Sequence, residues 1–187
     1  MITFKSLVAA AMVFAAVIFQ FKWLGLAITA LNAGLIISYA VWRLQNIDLD
    51  QARERILPIY LIGIAVQCLH LGEEYLTGFQ TELPAMFGYQ WSDQLFVSFN
   101  LIWLAVFVLA AVGMHYRWDI ALLVVWFFTL MGGIGNGIAH PALSLMTGGY
   151  FPGLITSIGS LIIGILLLRE LIHARVRSEL PESLSVN

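Results

Sequence analysis

Residues 56–78 read ILPIYLIGIAVQCLHLGEEYLTG. At about 1.5 Å per helical residue, this stretch is long enough to cross the roughly 30 Å hydrocarbon core of a bilayer. Its first half is apolar, whereas its second half carries Gln67, His70, Glu73, Glu74 and Thr77. On a helix Glu73 and Glu74 fall at i+3 and i+4 from His70, so all three share a face. Gln67 lies one turn earlier and Thr77 one turn later on the same stripe. Each charged group in a membrane span costs roughly 2.5–3.5 kcal/mol on insertion scales. The stripe must therefore face protein or a wet cavity, never lipid.

The rest of the chain repeats the apolar pattern. Spans are predicted at about 4–21, 23–42, 56–78, 95–114, 120–140 and 153–169, the first two parted by a tight turn centred on Lys22. The expected fold class is all-α, a polytopic membrane helical bundle of about six transmembrane helices. It forms one domain over 1–187, with a charged cytoplasmic tail at 170–187 that is partly disordered beyond Glu182. The start, MITFKSLVAAAMVFAAVIFQF, has the lysine and alanines of a signal peptide. Because FKWLGLAITA resumes the apolar pattern with no cleavage site and polar mature region, it reads as a retained first helix. No internal repeat or second domain emerges.

Composition agrees. Of 187 residues, 60% are hydrophobic and 11% charged, against about 25% charged in a soluble domain. Such a chain has too few polar groups to cover a surface in water. A formal charge of −2 without a basic run argues against nucleic acid as a partner. Cys68 is the single cysteine, which excludes an intramolecular disulfide and Cys-rich metal motifs. In its apolar segment it is expected to be a small buried hydrophobe.

Charge asymmetry tests the helix count. Alternate loops place Lys5, Arg43, Arg53, Arg55, Arg117, Arg169, Arg175 and Arg177 on one side and Lys22 alone on the other. That is the positive-inside pattern for six spans with both termini cytoplasmic. Trp23, Trp42, Tyr89, Trp91, Tyr116, Trp118, Tyr150 and Phe151 flank the spans as interfacial anchors. Tyr150 is in addition a candidate hydrogen-bond donor to the polar cluster.

Independent helices deliver their polar residues to one level. With a rise of about 1.5 Å per residue, His70 lies ~21 Å and Glu74 ~27 Å from the cytoplasmic edge, and Asn136 and His140 ~24 and ~30 Å. Asn100, Asn32 and Thr156 fall in the same half, away from the cytoplasm. Gly132, Gly133, Gly135, Gly137 and Ala139 make the fifth helix thin. This serves ordinary close helix packing and also brings Asn136 and His140 toward His70 and Glu73. The loop 79–93 is either a lid over the cluster or a plain surface loop. The uncharged segment 141–153 either folds back over the site with Tyr150 or only turns the chain. The stretch 43–55 reads as a solvated connector.

The run His70-Leu71-Gly72-Glu73-Glu74 resembles the signature after which the HXXEE family of bacterial integral membrane proteins is named. Asn136-x-x-x-His140 and Tyr150-x-Pro152-Gly153 are similar to that family's later pattern, and the likeness covers about 56–163. The resemblance implies a membrane protein and supplies no reaction. Compact size without targeting signals points to a bacterial inner membrane.

Several readings of the cluster stand side by side. In the first, His70, Glu73 and His140 bind a divalent transition metal, zinc or iron, with open coordination positions. Glu74 completes the site, bridges a second metal or acts as general base on a metal-bound water, and Glu74, Glu73 and Tyr150 are the catalytic candidates. Asn100, Asn136, Gln67 and Thr156 are supporting polar groups. The order is not H-E-x-x-H, and a di-iron site would need two Glu-x-x-His units. The product of this reading is a metal-dependent hydrolase or oxidoreductase acting on a lipid-like, hydrophobic small molecule among the membrane lipids. A second reading is a metal-free isomerase or cyclase, with a carboxylic acid as proton donor and His70 or His140 as base. Proton-linked transport is a third, though no inverted repeat or matching pair of broken helices supports it. A purely structural hydrogen-bond network is the fourth.

Overall fold

The computed structural model describes residues 4–45 and 47–179, and its elements are all helical. Helix α1 (Phe4–Leu24) leads through a 3-10 turn (Gly25–Ile28) into α2 (Thr29–Leu44). Then follow α3 (Leu49–Thr77), the short α4 (Phe79–Ala85) and α5 (Asp93–His115). Helix α6 (Asp119–Phe127) runs on through a π-helical stretch (Phe128–Gly135) into α7 (Asn136–Thr147), and α8 (Leu154–Glu179) ends the described chain. Five of the uninterrupted helical segments are long and apolar enough to cross a membrane: Phe4–Leu44, Ala52–Thr77, Asp93–His115, Asp119–Thr147 and Leu154–Arg175.

The first of these, 41 residues long, doubles back on itself. The Tyr39 hydroxyl donates to the Ser6 carbonyl at 3.1 Å, which brings the end of α2 beside the start of α1. The reversal falls at Gly25, whose φ is +67°, and not at Lys22, which lies in the last turn of α1. A Cβ on Gly25 would lie 2.4 Å from Cε1 of Tyr89, so the turn needs glycine twice over, for its φ and for the ring packed on it.

Polar side chains collect at the bundle's arginine-bearing end. Lys5 pairs with Asp119 at 2.7 Å, and the Trp42 indole donates to the Asp119 carbonyl at 2.8 Å. Arg117 pairs with Asp50 at 2.5 Å, and Arg53 donates to the His115 carbonyl at 3.1 Å. The starts of α1, α3 and α6 and the ends of α2 and α5 thus meet. Above them lies an aromatic core: Phe128 meets Tyr60 and Phe107 edge-on at 5.1 and 5.0 Å, and the Tyr60 hydroxyl donates to the Phe107 carbonyl. Outward-facing side chains are apolar, with Leu76 and Leu145 more than four-fifths exposed. Water would penalise such an exterior and a bilayer would not. The chain is an all-α membrane helical bundle.

Several sequence expectations change at the ends of elements. The stretch 43–55 is mostly helix, because Asp48 caps α3 by accepting from the Asp50 N–H at 2.9 Å. Helix α7 passes through Pro141 to Thr147, at the cost of the backbone bond that Pro141 has no N–H to make. The expected loop 141–153 therefore shrinks to 148–153. Helix α8 extends past 169 to Glu179, and the disorder expected beyond Glu182 lies outside the described residues. Cys68 faces out from the bundle instead of in. Phe151, expected as an interfacial anchor, is 2% exposed.

The glycine-rich stretch does pack a helix closely. A Cβ on Gly133 would fall 2.5 Å from Cα of Gly164, and one on Gly164 would fall 2.6 Å from the Ile134 nitrogen. Backbone cannot yield as a side chain tip can. Gly164→Ala should thus lower the thermal unfolding midpoint in detergent, by an amount corresponding to about 1–3 kcal/mol. An unchanged midpoint would show that the α8 contact tolerates separation.

Candidate metal centre

His70 and His140 each sit roughly two turns before the end of their helix, at Thr77 and Thr147, in the half of the bundle away from the arginine-bearing end. The π-helical stretch lies directly before Asn136. A π turn carries an extra residue and so rotates everything after it about the helix axis, a device common at functional sites. Beyond it Asn136 and His140 keep the one-turn spacing expected of them. The imidazoles meet edge-on, with ring centroids 4.7 Å apart. His70, Glu74 and His140 are 0%, 6% and 2% exposed.

Glu74 holds the centre. Its Oε1 lies 3.5 Å from Nε2 of His70 and 3.4 Å from Nε2 of His140, and the three atoms all lie within 4.8 Å of one another. Their neighbours decide which ring nitrogens carry protons. Nδ1 of His140 lies 2.5 Å from the Pro152 carbonyl, which can only accept, so Nδ1 is the protonated nitrogen. Nδ1 of His70 lies 2.8 Å from Oγ1 of Thr156. That hydroxyl donates its own proton to Oε2 of Glu73 and so accepts from His70. As neutral imidazoles, both rings therefore turn an Nε2 lone pair toward the Glu74 carboxylate. With neutral rings three acceptors converge, and among the described residues Nε2 of His70 is buried without a hydrogen-bond partner.

Glu73 is placed differently from its expected role as a metal ligand. Its Oε1 accepts from the Tyr150 hydroxyl at 2.6 Å and the Ile155 N–H at 2.9 Å. Its Oε2 accepts from the Thr156 N–H at 2.7 Å and the Thr156 hydroxyl. Four donors occupy its lone pairs, and two of them are the free N–H groups of the first turn of α8. Glu73 is a cap supplied from another helix, favoured by the positive end of the α8 dipole. Through Thr156 it also orients His70. Metal-bound histidines commonly have such a partner behind them.

Tyr150 is likewise a partner of Glu73 and not part of the wall beside Glu74. Burial, and then the hydrogen bond to Glu73, push its phenol above the ordinary value, which keeps it a donor. Gln67, Asn100 and Asn136 do come together, lining a cavity of about 400 Å³ with Glu74 and His140. Asn100 is tied to its own helix through the Phe96 carbonyl at 3.0 Å. Asn32, expected at the same level, is buried in α2 without a hydrogen-bond partner and is not part of this wall.

The segment 79–93 covers the site. The Phe79 ring lies 5.5 Å from His140 and 5.9 Å from Phe151, while Leu83, Phe87 and Trp91 line the cavity. Sequence reasoning missed Phe79, Phe151, the Pro152 carbonyl and Gly153 as parts of the site. The single available signal was the uncharged Tyr150-Phe-Pro-Gly153 run ahead of α8. The chain matches no family model, no curated protein and no solved structure.

Proposed function

We propose that the chain is an intramembrane metal-dependent enzyme. One divalent transition metal, zinc or iron, is held by His70, His140 and Glu74, and an apolar substrate sits in the adjoining cavity. The observation that carries this reading is the convergence of the two buried Nε2 atoms on one buried carboxylate oxygen. Bonds of about 2.0–2.2 Å in tetrahedral geometry separate neighbouring ligand atoms by about 3.3–3.5 Å, which matches the 3.4 and 3.5 Å found. A proton shared between imidazole and carboxylate would draw the atoms to about 2.7–2.9 Å. The spacing favours a metal over the metal-free acid–base alternative. Three protein ligands leave a coordination position open for water or substrate, where a metal acts as Lewis acid or lowers the pKa of a bound water.

In this proposal the arginine-bearing end faces the cytoplasm of a bacterial inner membrane, and the site lies in the opposite half. The likeness of His70-Leu-Gly-Glu-Glu74 to the HXXEE signature fits the same picture. Transport is less well supported, because the aromatic core of Tyr60, Phe107 and Phe128 fills the bundle between the site and the arginine-bearing end.

Elemental analysis of protein purified in detergent without chelators tests the proposal. About one equivalent of zinc or iron is expected, falling to background in a His70→Ala/His140→Ala variant that remains folded. Reproducible absence of metal from the unmodified chain would overturn it.

A further inference from the structure

The cavity beside the centre carries information about the substrate. Resting on the metal-enzyme reading, we infer that the substrate is a neutral long-chain amphiphile, a fatty amide or alcohol. Its uncharged head binds beside Glu74 and Gln67, and its chain runs past Trp103 into a second, apolar cavity.

The head is assigned from the lining. Apart from Glu74, His140 and the indoles of Trp91 and Trp103, the polar side chains of the first cavity are the neutral amides Gln67, Asn100 and Asn136, and among the described residues its lining holds no lysine or arginine. An ionised carboxylate head has only acceptors to offer, whereas an amide or alcohol head brings a donor. Gln67 is 7% exposed, and its Oε1 is buried with no hydrogen-bond partner among the described residues. A buried orphan acceptor is costly unless something supplies a donor. An amide N–H or alcohol O–H on the substrate is such a donor, one helical turn from His70.

The chain is assigned from what lies behind Trp103. Tilted by 34° against Phe127 at a centroid distance of 4.5 Å, Trp103 lines both the first cavity and another of about 350 Å³. Both cavities are lined by Phe99, Trp103 and Phe127. The second cavity is apolar but for Gln20 and lies between α1, α5 and α6. Its rim residues Met12, Phe19 and Ile102 are half exposed on the outer surface of the bundle. An alkyl chain passing this shared wall of Phe99, Trp103 and Phe127 has one end at the metal centre and the other at the lipid-facing surface. Each cavity is by itself near the lower limit of ligand-site volumes, roughly 300–1,000 Å³.

Titration of the full-length purified protein with stearamide dibrominated at mid-chain tests this, because bromine quenches nearby indole fluorescence. Saturable quenching is expected, with the largest component missing in Trp103→Phe. Affinity should be at least about tenfold higher than for the matching dibrominated stearate at mildly alkaline pH. Unbrominated stearamide should displace the probe at least about tenfold more effectively than hexanamide. Ala16→Phe, which fills the second cavity from α1, should weaken the long amide and leave hexanamide unchanged. Equal displacement by short and long amides, or tighter binding of the carboxylate, overturns the inference, and the unmodified chain alone supplies both comparisons. Metal content is measured on the same samples. Selective binding of the long amide by metal-free protein would uphold the substrate class and overturn the metal reading. Bound metal without chain-length preference would do the opposite.

Discussion

Glu74→Gln is expected to abolish metal binding and leave the bundle folded, whereas Glu73→Gln is expected to unsettle the bundle and only weaken the metal. The two residues are adjacent and chemically identical, yet their surroundings assign them opposite work. Glu74 Oε1 faces two imidazole Nε2 atoms at 3.4 and 3.5 Å, which with neutral rings is an arrangement of acceptors that costs free energy until a cation enters. Glutamine in its place removes the buried charge and brings an amide N–H that can donate to an Nε2. The metal-free variant should therefore melt no lower than the metal-free parent, and higher if that N–H finds its acceptor. Function and stability pull apart at such a position. Glu73, in contrast, accepts from four donors, two of them backbone N–H groups of the first turn of α8. Its replacement weakens charge-assisted bonds worth about 1.5–3 kcal/mol each and loosens Thr156 behind His70. A lower melting midpoint is expected, with metal affinity reduced about 10–100-fold, the usual effect of losing an outer partner. Isothermal titration with zinc and thermal melts of both variants provide the readings. Metal loss confined to Glu73→Gln would reverse the assignment made here.

That pair also marks how far the sequence could be read. The stripe Gln67, His70, Glu73, Glu74 follows from helical periodicity alone, and the pairing of Asn136 with His140 does too. What periodicity leaves open is rotation about the axis. Glu73 and Glu74 differ by about 100°, and which of them turns inward depends on the neighbours of α3. Helix α8 presents its N-terminus to the Glu73 side and so draws that carboxylate away from the histidines. Nothing local to residues 70–74 encodes this. Helix ends were misread for a similar reason: Pro141 normally signals a stop, but here packing against α8 carries α7 on to Thr147. The turn between α1 and α2 was displaced from Lys22 to Gly25 because the ring of Tyr89, far away in sequence, decides where a Cβ is forbidden. The membrane class itself was legible, since composition and long apolar runs are properties of the whole chain and need no tertiary information.

Gly153→Ala should damage the metal centre directly, because its added methyl group points at both histidines. Gly153 has φ +88°, a conformation that costs a residue with a Cβ about 1–2 kcal/mol. Its added carbon would lie 2.5 Å from Cε1 and 2.7 Å from Nδ1 of His140, and 3.0 Å from Cε1 of His70. Neither ring can retreat freely. His140 is packed under Phe79 and Phe151 and held through Nδ1 by the carbonyl of Pro152, the residue next to the substitution. His70 is fixed by Thr156. The methyl group must push His140 off its carbonyl anchor, which frees the ring to rotate and takes the Nε2 lone pair away from Glu74. Metal affinity should fall by at least about tenfold to a hundredfold, as for other losses of ligand orientation. The melting midpoint should drop together with it, by about 1–3 kcal/mol for the overpacking alone. Gly149→Ala is the matched control: it lies in the same connection, and a Cβ there meets nothing within 4 Å. It should leave both quantities unchanged. Were Gly153→Ala to bind metal as tightly as the parent chain, the two histidines would not be ligands held in place by the 148–153 connection. The centre would then have to be sought without His140.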